Sequence, residues 1–214
     1  MKTTNKESYW SLRVENYEAR QEYVAGKEVI EQAMVQLENE DRFKHILEVG
    51  CGTGLFTEIL AGMAEQVTAT DYSDEMIAMA KKLRVHPKHV DFLKENAMEL
   101  SFTDKKFDGV FMANLIHIIS DPEKVITESR RVLKPGGRLI ITSFTMDEMK
   151  FADKLKMVFR YLKSFGKISD EARKVKTSKL SIEKLLLQNQ FDIQKSLLLG
   201  MRSKAMYIVA VKKN

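Results

Sequence analysis

Three glycines at alternate positions, in Glu48-Val49-Gly50-Cys51-Gly52-Thr53-Gly54, constrain this chain more than any other stretch of it. They follow residues 45–49 (HILEV), a short apolar run of the kind that forms a buried strand. Residues 55–63 come next, apolar and without a breaker before Gly62, and predict a helix. Glycine at every second position lets the backbone turn sharply, and the missing Cβ atoms let a ligand approach closely. The helix beyond offers N–H groups that have no partner within the helix. Strand, glycine turn and helix together predict a nucleotide-type ligand at this point.

The rest of the chain supplies the frame for such a turn. Residues 66–70 (QVTAT), 89–93 (HVDFL), 107–112 (FDGVFM) and 138–144 read as further strands. Ser73 is placed to cap a helix whose apolar face is Met76, Ile77, Met79, Ala80 and Leu83. Asp121-Pro122 opens another, carrying Val125, Ile126, Ser129, Val132 and Leu133. Lys134-Pro135-Gly136-Gly137 reads as the turn that ends it. Strand and helix thus alternate from residue 45 to residue 144, which predicts a parallel sheet with helices on both faces. Residues 191–199 and 204–212, around Gly200-Met201-Arg202-Ser203, break the alternation and predict a terminal hairpin with an antiparallel strand. Residues 8–40 read as helical, with Gly26 between two helices.

Composition narrows the class. With 214 residues the chain holds one domain and one core. A single cysteine excludes an internal disulfide and a cysteine-based metal cluster, and suits a reducing compartment. No apolar run is long enough to span a membrane or to serve as a signal peptide, so a cytoplasmic protein is expected. The net charge of +5 is too small to imply nucleic-acid binding by itself.

The identity of the ligand turns on two residues. A dinucleotide-binding turn needs Gly or Ala at the sixth position of its pattern, where this chain has Leu55. Glu48 would repel a pyrophosphate but attract a cationic ligand. These residues, joined to a parallel sheet that ends in an antiparallel strand, resemble the class I S-adenosylmethionine-dependent methyltransferases. Within them the stretch is most similar to the broad group that includes small-molecule and quinone-precursor methyltransferases. The resemblance covers residues 45–144 and, more loosely, the terminal hairpin. It implies a Rossmann-like, doubly wound, seven-stranded sheet, mostly parallel with a C-terminal antiparallel strand. S-adenosyl-L-methionine is the implied cofactor and no metal is required.

The same resemblance assigns expectations residue by residue. Glu48, Gly50, Cys51, Gly52 and Gly54 form the cofactor turn, Cys51 contributing its backbone. Asp71, at the end of the second strand, accepts from the ribose hydroxyls, or is a turn carboxylate. Tyr72 and Met76 lie where a side chain packs on the adenine, although Met76 equally suits the core. Asn96 stands where relatives more often have Asp; its amide oxygen can still accept from the adenine amino group, beside the Ala97 backbone. Ala113 and Asn114 border the methionine part, and ANLI lacks the prolines and aromatic of base and amide methylators. His117 matches a histidine near the acceptor and is the candidate base, or it is a satisfied histidine on an apolar helix face. Tyr17 can reach the cofactor carboxylate, or it packs the N-terminal helix with Tyr9 and Trp10.

The expected organisation is an N-terminal helical lid (1–43), a cofactor core (45–144), a helical insert (147–180) and a last helix with hairpin (181–214). From Lys150 to Lys179 the insert has ten Lys or Arg against three Asp or Glu. Phe151, Leu155, Val158, Leu162 and Phe165 recur there at helical spacing. The favoured expectation is a solvated lysine-rich face over an apolar seam, with attraction of an anionic acceptor or a membrane surface as the other. The expected reaction is methyl transfer to a small-molecule acceptor, without a DNA partner. The rivals are a nicotinamide oxidoreductase, a non-catalytic cofactor-binding module and an RNA or protein methyltransferase.

Overall fold

Ile46 and Leu47 are adjacent and both fully buried, which a strand permits only when both of its faces are covered. The computed structural model describes residues 14–84, 87–166 and 177–213. In chain order the elements are α1 (Tyr17–Ala25), α2 (Lys27–Glu38), β1 (Phe43–Val49), α3 (Thr57–Met63), β2 (Ala64–Asp71), α4 (Asp74–Leu83) and β3 (Val90–Lys94). They continue with β4 (Phe107–Ala113), α5 (Pro122–Val132), β5 (Leu133–Thr145), α6 (Phe151–Phe165), α7 (Lys179–Gln188), β6 (Phe191–Leu199) and β7 (Lys204–Lys212). Tyr9 and Trp10 lie outside the described residues, as does 167–176 of the expected insert.

The strands form one seven-stranded sheet in the order β3-β2-β1-β4-β5-β7-β6. The first five pair in parallel, and β7 runs antiparallel to both β5 and β6. The strand order reverses direction between β1 and β4, so the C-terminal ends of these two strands flank the crevice where ligands of open α/β sheets bind. The pleat divides the core in two. Ile46, Phe111, Ile140 and Tyr207 point to the side that α2, α3 and α4 cover. Leu47, Val110, Met112, Ile141 and Ile208 point to the side that α5 and α7 cover.

Local chemistry sets the element ends. Ser73 Oγ accepts from Met76 N at 3.2 Å and Asp121 Oδ1 from Lys124 N at 3.0 Å, so both expected caps form. Gly26, at φ +89°, parts α1 from α2 as expected. The Lys134–Gly137 segment differs from the expected turn. It lies inside β5, where the register passes from Phe107↔Leu133 to Gly109↔Arg138 and so leaves three extra residues on β5. Gly136 takes φ +71° in this bulge. The seam of α6 also differs. Phe165 is buried and Val158 half-buried, but Phe151, Leu155 and Leu162 are exposed, so the lysines do not stand over a covered apolar seam. Among the described residues no helix is long and apolar enough to cross a membrane.

Gly109 tests the packing at the centre of the sheet. A Cβ there would sit 2.5 Å from the ring of Phe43, itself buried and stacked under Arg138, and 3.1 Å from Ile46 Cδ1. Gly109→Ala therefore forces the ring aside and should lower stability by about 1–3 kcal/mol in urea unfolding.

Candidate active site

The glycine turn leaves β1 and is tied to β2 by its own backbone. Gly50, Gly52 and Gly54 have φ of +74°, +55° and +82°, a region that only glycine enters without strain. The N–H groups of Gly50 and Cys51 both donate to the Thr70 carbonyl at 2.8 Å. Gly52 N donates to Asp71 Oδ2 at 2.9 Å, and Ser73 N donates to Oδ1 of the same carboxyl at 3.0 Å. Cys51 is buried, and desolvation pushes its thiol well above the ordinary range, so this residue serves by its backbone.

Two acids flank the turn. Glu48 is 1% exposed, and Thr57 Oγ1 donates to its Oε2 at 2.5 Å. Burial, opposed by that hydrogen bond, pushes the Glu48 carboxyl up to about 8; the neighbouring Asp71 adds to the rise. Asp71 is also raised by desolvation, against the N–H bonds it accepts. Among the described residues neither acid has an ion-pair partner. The turn thus carries two acids, and a positive charge brought beside Glu48 would draw it into its ionised form.

Helix α1 and the end of α4 close over the turn. A Cβ on Gly52 would lie 3.7 Å from Tyr17 Cε1, so the Tyr17 ring stands beside that glycine. That ring meets Phe165 of α6 edge-on, with centroids 6.1 Å apart. Glu18 bonds Thr53 Oγ1 at 2.6 Å and pairs with Arg84. Arg84 also donates to the Thr53 carbonyl at 3.1 Å and to Glu58 at 3.1 Å. Its stem passes across Gly54, where a Cβ would come within 3.0 Å of Arg84 Cγ. Arg84, Glu18, Thr53 and Thr57 escaped the sequence reading. Thr53, inside the motif, and Thr57, at the start of the helix beside it, left a local trace there.

The remaining expected residues follow the C-terminal ends of β2, β3 and β4. Tyr72 is exposed beside Asp71, with Lys94 Nζ 5.8 Å from its ring centre. Met76 is buried yet belongs to neither apolar cluster. Ala97 is buried, and Asn96 Oδ1 accepts from Met98 N at 3.1 Å, leaving one lone pair of that oxygen for another donor. Ala113 ends β4. Asn114 follows at φ +54° and turns its side chain toward β5, where Oδ1 accepts from Phe144 N at 3.2 Å. Leu115 lies against Gly50, its Cδ1 3.1 Å from where a Cβ would be. His117 Nδ1 pairs with Ser143 Oγ at 2.7 Å, and desolvation lowers the ring to about 4, so it is neutral at pH 7.

These residues fit an adenosyl sulfonium. An unpaired buried acid suits a cation, a carboxylate at the end of β2 suits a diol, and glycines leave room for close approach. A cavity of about 500 Å³, lined by Lys105, Arg130, Arg131 and Lys212 among others, lies elsewhere, at the opposite ends of the strands. Its cations have structural tasks: Lys212 Nζ donates to the Arg130 and Leu133 carbonyls at 2.7 and 2.6 Å, capping α5. Arg131 is held by Glu128 and Asp104. Among the described residues no group of three or more His, Cys, Asp or Glu could hold a metal ion.

Comparison with known proteins gives the same reading. Residues 47–141 match the family described as a methyltransferase domain. Over 102 residues the chain is 33% identical to a demethylmenaquinone methyltransferase of Clavibacter sepedonicus, covering 48% of this chain and 42% of that protein. Over 132 residues it is 35% identical to a phosphatidylethanolamine N-methyltransferase of Cereibacter sphaeroides, covering 59% and 64%. The chain thus spans about half the length of the curated relatives it matches. An S-adenosylmethionine-dependent methyltransferase of Thermotoga maritima has the same fold, with TM-score 0.72 and 21% identity over 96% of this chain and 99% of that one. These matches make residues 47–141 similar to a methyltransferase domain, carried here on a seven-stranded sheet with an acid-flanked glycine turn.

Proposed function

We infer that this protein transfers a methyl group from S-adenosylmethionine to a small-molecule acceptor. The observation that carries the reading is a pair of acids, buried Glu48 and half-buried Asp71, which among the described residues have no ion-pair partner and stand beside three left-handed glycines. When bound, S-adenosylmethionine supplies an activated methyl on a sulfonium, so the protein needs to position and to exclude water more than to activate. Glu48 ionises beside the positive charge. Asp71, whose two oxygens each keep a free lone pair after their N–H bonds, receives the ribose hydroxyls. Tyr72, Met76, Asn96 and Ala97 border the adenine, and Ala113 and Asn114 the methionine end. Tyr17, at the start of α1, and Phe165, at the end of α6, form the lid. The acceptor enters beside His117; relatives named for quinone and lipid substrates support a small-molecule acceptor. The single thiol favours a cytosolic setting.

His117 orients the acceptor in this reading. A ring lowered to about 4 holds a proton too weakly to be an efficient base at pH 7, but it is always available to accept a hydrogen bond. Donation from Nδ1–H to Ser143 would leave Nε2 facing the acceptor.

Calorimetry with S-adenosylmethionine, S-adenosylhomocysteine and NAD tests the assignment. The first two should bind and NAD should give no heat; the reverse result removes the reading. Labelled-methyl transfer into a metabolite extract then identifies the acceptor. Because free Glu48 is protonated below about pH 8 and must ionise on binding a cation, affinity should rise with pH by up to about tenfold per unit and level off above 8. In Glu48→Gln that slope should vanish. Without ligand the sign reverses. An acid raised from 4.5 to about 8 binds more protons folded than unfolded, so its stabilising contribution is lost as pH rises through that window. Urea unfolding at pH 5 and pH 8 should show Glu48→Gln gaining on the parent at the higher pH. His117→Ala should reduce kcat/KM about tenfold while leaving S-adenosylmethionine affinity unchanged, and the parent's pH profile should lack a histidine step between 6 and 7.

A further inference from the structure

Helix α6 turns an apolar stripe to the outside. Phe151 is 79% exposed, Leu155 56%, Phe159 66% and Leu162 46%. At 3.6 residues per turn these four side chains fall within an arc of about 80°. They are not the residues that hold the helix to the protein. That task falls to Phe165, which meets Tyr17 of α1, and to Ser164, whose carbonyl accepts from Arg20 at 2.9 Å. The apolar arc of the helix is therefore packed along one side, at Phe165 and Val158, and open to solvent along the other.

Charge surrounds the open face. Residues 150–165 contain Lys150, Lys154, Lys156, Arg160 and Lys163 against Asp153 alone. Lys154 borders the stripe on one side of the helix, and Lys156 and Lys163 on the other. Arg160 and Lys163 also lean over the Tyr23 ring of α1, at 5.4 and 5.9 Å from its centre. Scattered exposed apolar residues need no explanation, but two phenylalanines and two leucines in one line, flanked by lysines, do. An apolar strip between cations is the form of a helix that lies in the plane of a lipid interface, rings and leucines below and ammonium groups level with the phosphates.

We propose that α6 docks this protein on an anionic bilayer surface, with Phe151, Leu155, Phe159 and Leu162 inserted between headgroups. This docking deepens the proposed function and rests on it in one respect. Phe165 of the same helix touches Tyr17, which stands beside Gly52 of the glycine turn, so the docked helix brings the site mouth to the lipid. An amphiphilic acceptor can then reach the site from the interface without crossing water.

The test is cosedimentation of the full chain with vesicles of phosphatidylcholine alone and of phosphatidylcholine with phosphatidylglycerol, at low and high salt. Binding is expected to the mixed vesicles and to weaken with salt. The double variant Leu155→Gln/Phe159→Gln should bind at least about tenfold more weakly, because two inserted apolar groups are lost. It should keep the parent's affinity for S-adenosylmethionine, which shows that it is folded. Failure to sediment with the mixed vesicles overturns the docking. So does binding that the double variant leaves unchanged. A dimer in light scattering that the double variant dissolves would assign the face to a second copy instead. Vesicle binding needs neither cofactor nor acceptor, so its loss with S-adenosylmethionine binding intact removes only the docking, and the opposite result removes only the methyltransferase reading.

Discussion

Two amides share one carbonyl at the heart of this molecule: Gly50 and Cys51 both donate to Thr70. The arrangement pins the exit of β1 to the end of β2 and so sets where everything beyond it stands. It demands left-handed backbone at Gly50, and the next amide, that of Gly52, reaches the Asp71 carboxyl only because the turn continues in the same hand. The acid proposed to receive the ribose also braces the loop through Gly52 and Ser73. Removing it would cost shape as well as affinity.

Desolvation is the second constraint. The sheet is covered on both sides, and Glu48 lies within it with its carboxyl out of water. Holding a carboxyl there destabilises the unliganded protein once the group ionises. In the proposed function the compensation lies outside the polypeptide, in the cation brought beside Glu48. A site that is costly when empty and satisfied when filled couples occupancy to rigidity.

Much of this was legible in the amino-acid order because it is local. The alternating glycines, the acid before them, the Ser73 and Asp121 caps and the apolar strand runs each declare themselves within a few residues. Legibility ended where segments meet across long stretches of chain. Arg84 binds Glu18 from 66 residues away, and no periodicity marks either. The turn expected at Lys134–Gly137 became a bulge because strand pairing with β4 resumes at Arg138, a tertiary choice that outweighs the preference of Pro and Gly for loops. In α6 the spacing of apolar residues was plain, but which side of the helix the protein would use was not.

Strand β7 lies between β5 and β6 although it follows both in the chain. During synthesis β6 therefore leaves the ribosome before the strand that must separate it from β5. Until β7 inserts, each of its two neighbours presents a row of unpaired amides and carbonyls, and nothing in their geometry forbids pairing with another nascent chain. The core closes late, and closing it is a single insertion that completes both ladders at once. A message truncated shortly before residue 204 would yield a polypeptide with an intact glycine turn and an open wound beside β5, a candidate for aggregation and rapid proteolysis.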